Sequence, residues 1–152
     1  MPKTTLKEDT FQFCKDYIKE RFNRIHNQIQ EIQTALTTET KSSAGDKHET
    51  GRAMLQLERE KLGQQLSEAE KVAQLLSKID ISAGSNHIGP GTLVKTDGFH
   101  YFIAISAGEY VNKDTNVYCI SAATPIGKIL KGKSVGDIVT FNGNKIVVKE
   151  IL

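Results

Sequence analysis

A long apolar seam runs through the first forty residues and constrains the fold of this chain more than any other feature. Apolar side chains recur there at steps of three or four residues, the spacing of one face of an α-helix. The seam consists of Phe11, Cys14, Ile18, Phe22, Ile25, Ile29, Ile32 and Leu36, and no Pro or Gly interrupts residues 3–44. A helix of about 30 residues is roughly 45 Å long and too thin to bury this seam alone. The pattern therefore predicts a partner helix.

A second seam follows after a turn-like stretch. The segment TTETKSSAGD separates the seams and is rich in Thr, Ser and other small residues. The second seam consists of Leu55, Leu62, Leu66, Ala69, Ala73, Leu76 and Ile79. Two long helices with a short connection run antiparallel. We therefore predict a helical hairpin, a coiled coil, over residues 1–80 with its tip near residues 42–50.

The apolar period changes to two after a linker at residues 81–91, which is rich in Gly, Ser, Asn and Pro. Short β-branched and aromatic runs then alternate with turn residues, as in strands. These runs are TLVKT, HYFIAIS, NVYCISA, DIVTF and KIVVKEI, and the Asn-Gly pair in FNGNK predicts a hairpin between the last two. Residues 92–152 are thus predicted to form a small antiparallel β domain. The predicted fold class is α+β.

One segment of the second half differs from the strand-like runs. In TPIGKILKGK, Thr124 is a good helix cap, Pro125 suits the first helical position and Gly132 suits the position after the end. The pattern predicts one short helix within the β domain.

Composition and charge narrow the class of protein. Charged residues make up 25% of the 152 residues and apolar ones 38%, as in folded water-soluble proteins. Neither a membrane-length apolar run nor a signal peptide is visible, so we expect a cytoplasmic protein in which Cys14 and Cys119 stay reduced. Residues 1–80 carry 13 basic and 13 acidic residues, and the rest carry 7 and 5. Without a strong basic excess, any nucleic acid is expected to be reached through another protein.

Two carboxylates stand out at the predicted tip, in SSAGDKHETGRAML. Asp46 and Glu49 are three residues apart at the start of the second helix. This spacing is that of a capping box, in which both side chains satisfy backbone N–H groups. The local pattern favours the cap, although two carboxylates at this spacing also suit a metal ion. The local pattern leaves both interpretations open.

Aromatic and cysteine residues in the second half offer two further hypotheses. The aromatic residues Phe99, Tyr101, Phe102 and Tyr118 could line a ligand groove, although alternating strand aromatics indicate core. Cys119 with His87 or His100 would resemble a nucleophile–base pair, but no nucleophile elbow or Gly-rich oxyanion loop surrounds it. No phosphate-binding loop, dinucleotide fingerprint or zinc spacing is present.

Taken along nearly its whole length, the chain resembles the Gre-type bacterial transcript cleavage factors. The stretch TPIGKILKGKSVGDIV matches the family pattern Ser-Pro-aliphatic-Gly/Ala-Lys/Arg-Ala-Leu, Gly-Lys, Gly-Asp-x-Val. The tip sequence GDKHET matches the family's Gly-Asp-x-x-Glu-Asn in the spacing of its two acids. The resemblance implies an FKBP-like fold for the β domain.

The resemblance also implies a function. Such factors insert their hairpin into the secondary channel of RNA polymerase, where the tip acids, here Asp46 and Glu49, help hold a second Mg²⁺ at the polymerase's own active site. A backtracked RNA is then cut near its 3′ end. Thr124, Pro125 and Ile126 correspond to the family's docking contact on the polymerase. By this resemblance the chain is not itself an enzyme, does not hold Mg²⁺ stably when free, contacts nascent RNA only indirectly, and uses neither a membrane nor a small-molecule substrate.

The chain departs from the family pattern at several positions. Thr50, Gly51 and Arg52 stand where the family continues with Asn, Ala and Glu, and Ala123 replaces an acid before the docking residues. Some family members bind polymerase and inhibit cleavage, so a modulator or inhibitor of elongation is one alternative. A coiled-coil interaction module unrelated to polymerase is another.

Overall fold

The computed structural model describes the backbone of residues 5–41, 46–82 and 84–152, and the side chains of these ranges except 39–41 and 46–49. Two long helices come first and a sheet with one short helix follows. The helices are α1 (Leu6–Lys41), α2 (Asp46–Ser77) and α3 (Pro125–Leu130), and the strands are β1 (Leu93–Thr96), β2 (His100–Ile103), β3 (Gly108–Val111), β4 (Asn116–Ile120), β5 (Ile138–Phe141) and β6 (Asn144–Ile151). The predicted α+β class is confirmed. Among the described residues, no helix is both long and apolar enough to cross a membrane.

The described chain divides into two compact units. One unit is Ile18–Ala73, and the other contains residues 5–17 together with 74–152. The start of α1 and the end of α2 thus group with the sheet. The domain boundary that the sequence predicts after residue 80 stays a prediction.

The helical unit Ile18–Ala73 buries part of the two predicted seams and leaves other seam positions half-buried. Its buried apolar residues are Ile18, Ile25, Ile29, Ile32, Leu62 and Ala69. Ile32 of α1 and Leu62 of α2 line one shared groove, so the two helices lie side by side. Because only residues 42–45 separate them, side-by-side helices run antiparallel.

The six strands form a sheet in the order β3-β4-β2-β1-β6-β5. Every neighbouring pair is antiparallel except β2 and β4, which are parallel, with His100 opposite Val117 and Ile103 opposite Ile120. The prediction of an antiparallel domain was wrong for this pair. The reason is that β3 runs back along the outer edge, so β4 returns beside β2 in the same direction.

Strand β3 was not predicted from the sequence. Its residues, GEYV, begin with Gly and are largely exposed, so they carry no alternation of buried and exposed positions. Main-chain pairing with β4 makes this segment a strand, with Gly108 opposite Cys119 and Val111 opposite Asn116. An edge strand of this kind leaves almost no hydrophobic signal in the sequence.

The start of α1 packs against one face of the sheet. The Phe11 and Phe102 rings meet edge to face at 6.2 Å between centroids, and the Phe13 and Tyr110 rings lie 5.3 Å apart. Leu93, Phe102 and Cys119 are opposite one another across three strands and are all buried. The first turns of α1 therefore belong to the core of the β unit.

Helix α3 packs against the other face. The main cluster there combines strand residues with residues from α3 and the linker: Ile88, Val94, Tyr101, Ile103, Ile126, Leu130, Val139 and Val148. The predicted short helix is confirmed, with Thr124 as its cap and Pro125 at its start. The predicted Asn-Gly hairpin is also confirmed, because Asn142 and Gly143 both have positive φ, 51° and 80°, as a two-residue type I′ turn requires.

Candidate functional site

The two predicted tip acids lie in the first turn of α2. Asp46 begins this helix and Glu49 follows three residues later. Positions three apart on a helix are neighbours on its surface, so the backbone places both residues on one side. Their side chains lie outside the described residues, as does the loop before them. The capping and metal-binding interpretations therefore both stay open.

The predicted docking residues lie at the turn that leads into α3. The Thr124 hydroxyl donates to the Ser121 carbonyl oxygen at 2.8 Å and accepts from the Gly127 N–H at 3.1 Å. The Thr124 backbone is extended, with φ −70° and ψ 157°, as an N-cap requires. The Thr124 side chain thus bonds to the backbone both before and after it, and these two bonds fix where α3 begins.

Gly127 is required by this turn for a steric reason. A Cβ atom at this position would lie 2.3 Å from the Ser121 carbonyl oxygen and 2.8 Å from Thr124 Oγ1. Real Cβ atoms do not approach backbone oxygen this closely. The first turn of α3 therefore packs directly against the preceding backbone, and only glycine leaves room for that contact.

The three docking candidates differ in exposure. Pro125 is exposed, Thr124 is half-buried, and Ile126 is buried in the core at 8% exposure. The Ile126 side chain therefore holds α3 on the sheet and does not form part of the surface. Lys128 and Lys131 are exposed on and just after α3, which gives this surface positive charge.

The linker is tied to the loop that follows α3. The Ile88 N–H donates to the Lys133 carbonyl at 2.9 Å, and the Gly132 N–H donates to the Ile88 carbonyl at 2.8 Å. His87 Nδ1 lies 2.9 Å from the Ser134 hydroxyl oxygen. The end of the linker is therefore held against the loop that follows the helix begun by the docking turn.

Both cysteines are buried in the described structure, and neither forms a disulfide. Cys119 lies in the middle of β4 at 2% exposure, and the thiol of the fully buried Cys14 lies next to it. This contact and burial raise the pKa of the Cys14 thiol well above its usual range. His100 Nδ1 accepts from the Thr96 N–H at 3.4 Å. The described contacts of Cys119 and of both histidines, His100 with Thr96 and His87 with Ser134, are with other residues. These contacts give the nucleophile–base hypothesis no support.

An aromatic cluster lies on the α3 side of the sheet. The Phe99 and Tyr118 rings meet edge to face at 5.2 Å, and the Tyr101 and Tyr118 rings lie 6.2 Å apart. Tyr101 is buried, but Phe99 is 63% exposed. The interpretation of these aromatics as core holds for Tyr101 and Phe102 and fails for Phe99, because Phe99 precedes β2 and so stands outside the alternation of that strand.

A cavity of about 410 Å³ opens beside this cluster, between the β1–β2 turn and the β5–β6 turn. We call it the aromatic groove. It is lined by Asp97, Gly98, Phe99, Tyr101, Phe141, Asn142, Asn144, Lys145 and Ile146. No local sequence signal marks it, because its walls come from two turns that are more than forty residues apart.

Within the part of the chain whose side chains are described, no group of three His, Cys, Asp or Glu side chains could hold a metal ion. That part does not include the tip acids, so the predicted Mg²⁺ ligands are not tested by this observation. Comparison of the chain with protein-family models, with curated proteins and with solved structures found no match.

Proposed function

We propose that this protein is a Gre-like factor that enters the secondary channel of RNA polymerase and stimulates cleavage of backtracked RNA through Asp46 and Glu49. The observation that carries the proposal is the position of these acids. They fall in the first turn of α2, directly after the connection between two long helices that lie side by side. Helices of 36 and 32 residues are about 54 and 48 Å long, enough to carry a short side chain deep into a protein channel.

The donor chemistry at the tip fits a shared magnesium ion. Mg²⁺ prefers oxygen ligands and keeps several waters, so one or two carboxylates suffice to complete its shell. When bound at the polymerase active site, a second metal ion supplies charge stabilisation for an in-line phosphoryl displacement. Asp46 and Glu49 occupy neighbouring positions on one side of α2, where both carboxylates would serve the same ion.

The β unit supports a docking role. In the proposed complex the exposed Pro125 ring and the half-buried Thr124 present the contact surface. The buried Ile126 supports this surface by holding α3 on the sheet. The proposal includes the FKBP-like nature of this unit and a cytoplasmic location, where RNA polymerase would be met.

A cleavage assay on backtracked complexes tests the proposal. RNA polymerase from the same organism is stalled on a template, backtracked, and mixed with wild-type protein or with Asp46→Asn or Glu49→Gln. Asn is a good N-cap and Gln completes a capping box, so both variants keep the helix start and remove the charge. We expect the wild type to shorten the RNA, and each variant to bind polymerase normally while cleavage falls by about 10²-fold or more.

Each alternative function has a distinct outcome in the same experiment. If Asp46→Asn supports cleavage as well as wild type, the catalytic role of the tip is wrong. A wild-type protein that slows elongation and never shortens the RNA would be a polymerase-binding inhibitor. A protein that does not bind polymerase at all would be an unrelated coiled-coil module.

A further inference from the structure

The two cysteines of the sequence meet at one point of the fold. Cys14 belongs to α1 and Cys119 to β4, far apart along the chain. Both are free thiols, with exposed fractions of 0% and 2%. The thiol of Cys14 lies next to that of Cys119. Two thiols that lie side by side are the starting point for a disulfide.

The packing of α1 places Cys14 over β4 independently of the thiols themselves. Phe11 lies one helical turn before Cys14 on the same side of α1, and its ring contacts that of Phe102 at 6.2 Å between centroids. Phe102 of β2 is directly opposite Cys119 in the pairing of β2 with β4. A second ring contact joins α1 to β3, on the other side of β4. The start of α1 therefore spans β4 and brings Cys14 to Cys119.

A peroxide supplies the chemistry that joins the two sulfur atoms. Hydrogen peroxide converts one thiol to a sulfenic acid, and its O–O bond breaks with release of one water. The neighbouring thiol then attacks that sulfur, so the S–S bond forms and a second water leaves. In sum, the two thiols lose two hydrogen atoms and the peroxide is reduced to two waters. Contact between the thiols favours this condensation over further oxidation to a sulfinic acid.

Burial makes the reaction slow in both directions. The thiolate is the reactive form, and the contact with Cys119 together with burial raises the pKa of Cys14. Peroxide therefore reacts while the start of α1 is transiently separated from the sheet. A disulfide that has closed again within the core is shielded from reductants in the same way, and the cross-link itself opposes the opening. The pair thus responds to sustained oxidation.

We propose that Cys14 and Cys119 form a thiol–disulfide switch, in which a peroxide converts the buried pair to a disulfide that fixes the start of α1 covalently to β4. In a reducing compartment the pair stays as two thiols, and packing alone holds α1 on the sheet. The disulfide closes a loop of about a hundred residues, which restricts the unfolded chain and so stabilises the fold. The switch is independent of the proposed function.

Oxidation of the purified full-length protein tests the switch. The reduced protein is incubated overnight with hydrogen peroxide, and its Tm, its free thiols in urea and its peptides digested without reductant are then measured. We expect a linked pair of peptides that contains Cys14 and Cys119, about 2 Da lighter than the sum of the two. The free thiols should fall from two to none, and Tm should rise by about 10 °C. Dithiothreitol in urea should restore both thiols.

The single variants Cys14→Ala and Cys119→Ala are the matched controls. Each removes one thiol and keeps a small apolar side chain in the core. Each variant is compared with its own untreated sample, so a lower basal stability does not affect the result. We expect neither to gain in Tm with peroxide. Oxidation of the exposed Met54 is recognised by a peptide about 16 Da heavier, which dithiothreitol does not restore.

Three results would each overturn the switch. Wild type could keep two free thiols, or carry only sulfinic acids, after the incubation. The thiols could instead link two chains, which a non-reducing gel shows as a dimer. The linked peptides could form while Tm and amide hydrogen exchange across residues 5–17 stay as in the reduced protein, which would show that the disulfide does not hold the start of α1. Polymerase takes no part in this experiment, so none of these results bears on the proposed function.

Discussion

At the scale of single residues, the turn before α3 depends on Thr124 and Gly127 together. The Thr124 hydroxyl bonds on both sides of the turn, and the backbone at Gly127 lies against the Ser121 carbonyl. Thr-Pro is a local helix-start signal, so the cap could be predicted from the sequence. The need for glycine at 127 could not, because it arises from a close approach that exists only after folding.

Gly127→Ala tests this close approach. The new methyl group would meet the Ser121 oxygen at 2.3 Å, so the start of α3 must shift. We expect the free energy of unfolding to fall by about 1 to 3 kcal/mol, the usual cost of overpacking, as measured by urea denaturation. Gly89→Ala is the control, since open space surrounds that position and its change should stay within about 0.5 kcal/mol. Equal effects of the two substitutions would contradict this account of the turn.

His100 is expected to make the stability of the β unit depend on pH. Burial, and then the nearby charge of Lys95, lower the pKa of His100. A histidine whose pKa is lowered in the folded state binds fewer protons there than in the unfolded state. Its contribution to the free energy of unfolding is therefore complete above about pH 6.5 and is lost as pH falls through its folded pKa.

We therefore expect acid to reduce the urea midpoint of the wild type more than that of His100→Asn. Both proteins are compared between about pH 8 and pH 5, so that titration of the carboxylates affects them equally. An identical decrease in the two proteins would show that His100 does not contribute to the pH dependence of stability.

At the scale of elements, the apolar seam of α1 correctly predicted a helix. It predicted only part of what that helix packs against. Ile25, Ile29 and Ile32 are buried in the helical unit, whereas Phe11 and Cys14 pack against the sheet. A periodic seam shows that one face of a helix is buried, but it does not identify the element that covers it. Strand β3 could not be predicted for a related reason, since its pairing with β4 is a long-range property.

The contact between α1 and β4 makes a prediction about thiol chemistry. Cys14 and Cys119 are buried, and the pKa of Cys14 is raised, so the reactive thiolate is scarce and shielded. We expect both thiols to react with a water-soluble disulfide reagent at least about a hundredfold more slowly in the native protein than in urea. Rapid labelling of either cysteine in the native protein would show that the start of α1 does not stay on the sheet.

At the scale of the whole molecule, the sequence contained the order of the parts and the class of the fold. Two helical seams followed by period-two runs were enough to predict α+β, because these periods are local. The aromatic groove was beyond prediction, since its walls meet only through the pairing of β1 with β6. For the tip acids the reverse holds: their position is plain from the sequence, and the function proposed for them is one that only an experiment with the partner can test.

The central claim is that the tip acts inside the polymerase while the rest of the protein provides binding. The most direct measurement is a competition in the backtracked-complex assay, with a fixed amount of wild type and increasing Asp46→Asn. We predict that the variant suppresses RNA shortening in proportion to its share of the mixture, since it occupies the same channel without the carboxylate. Cleavage that continues undiminished under a large excess of polymerase-bound Asp46→Asn would contradict the account.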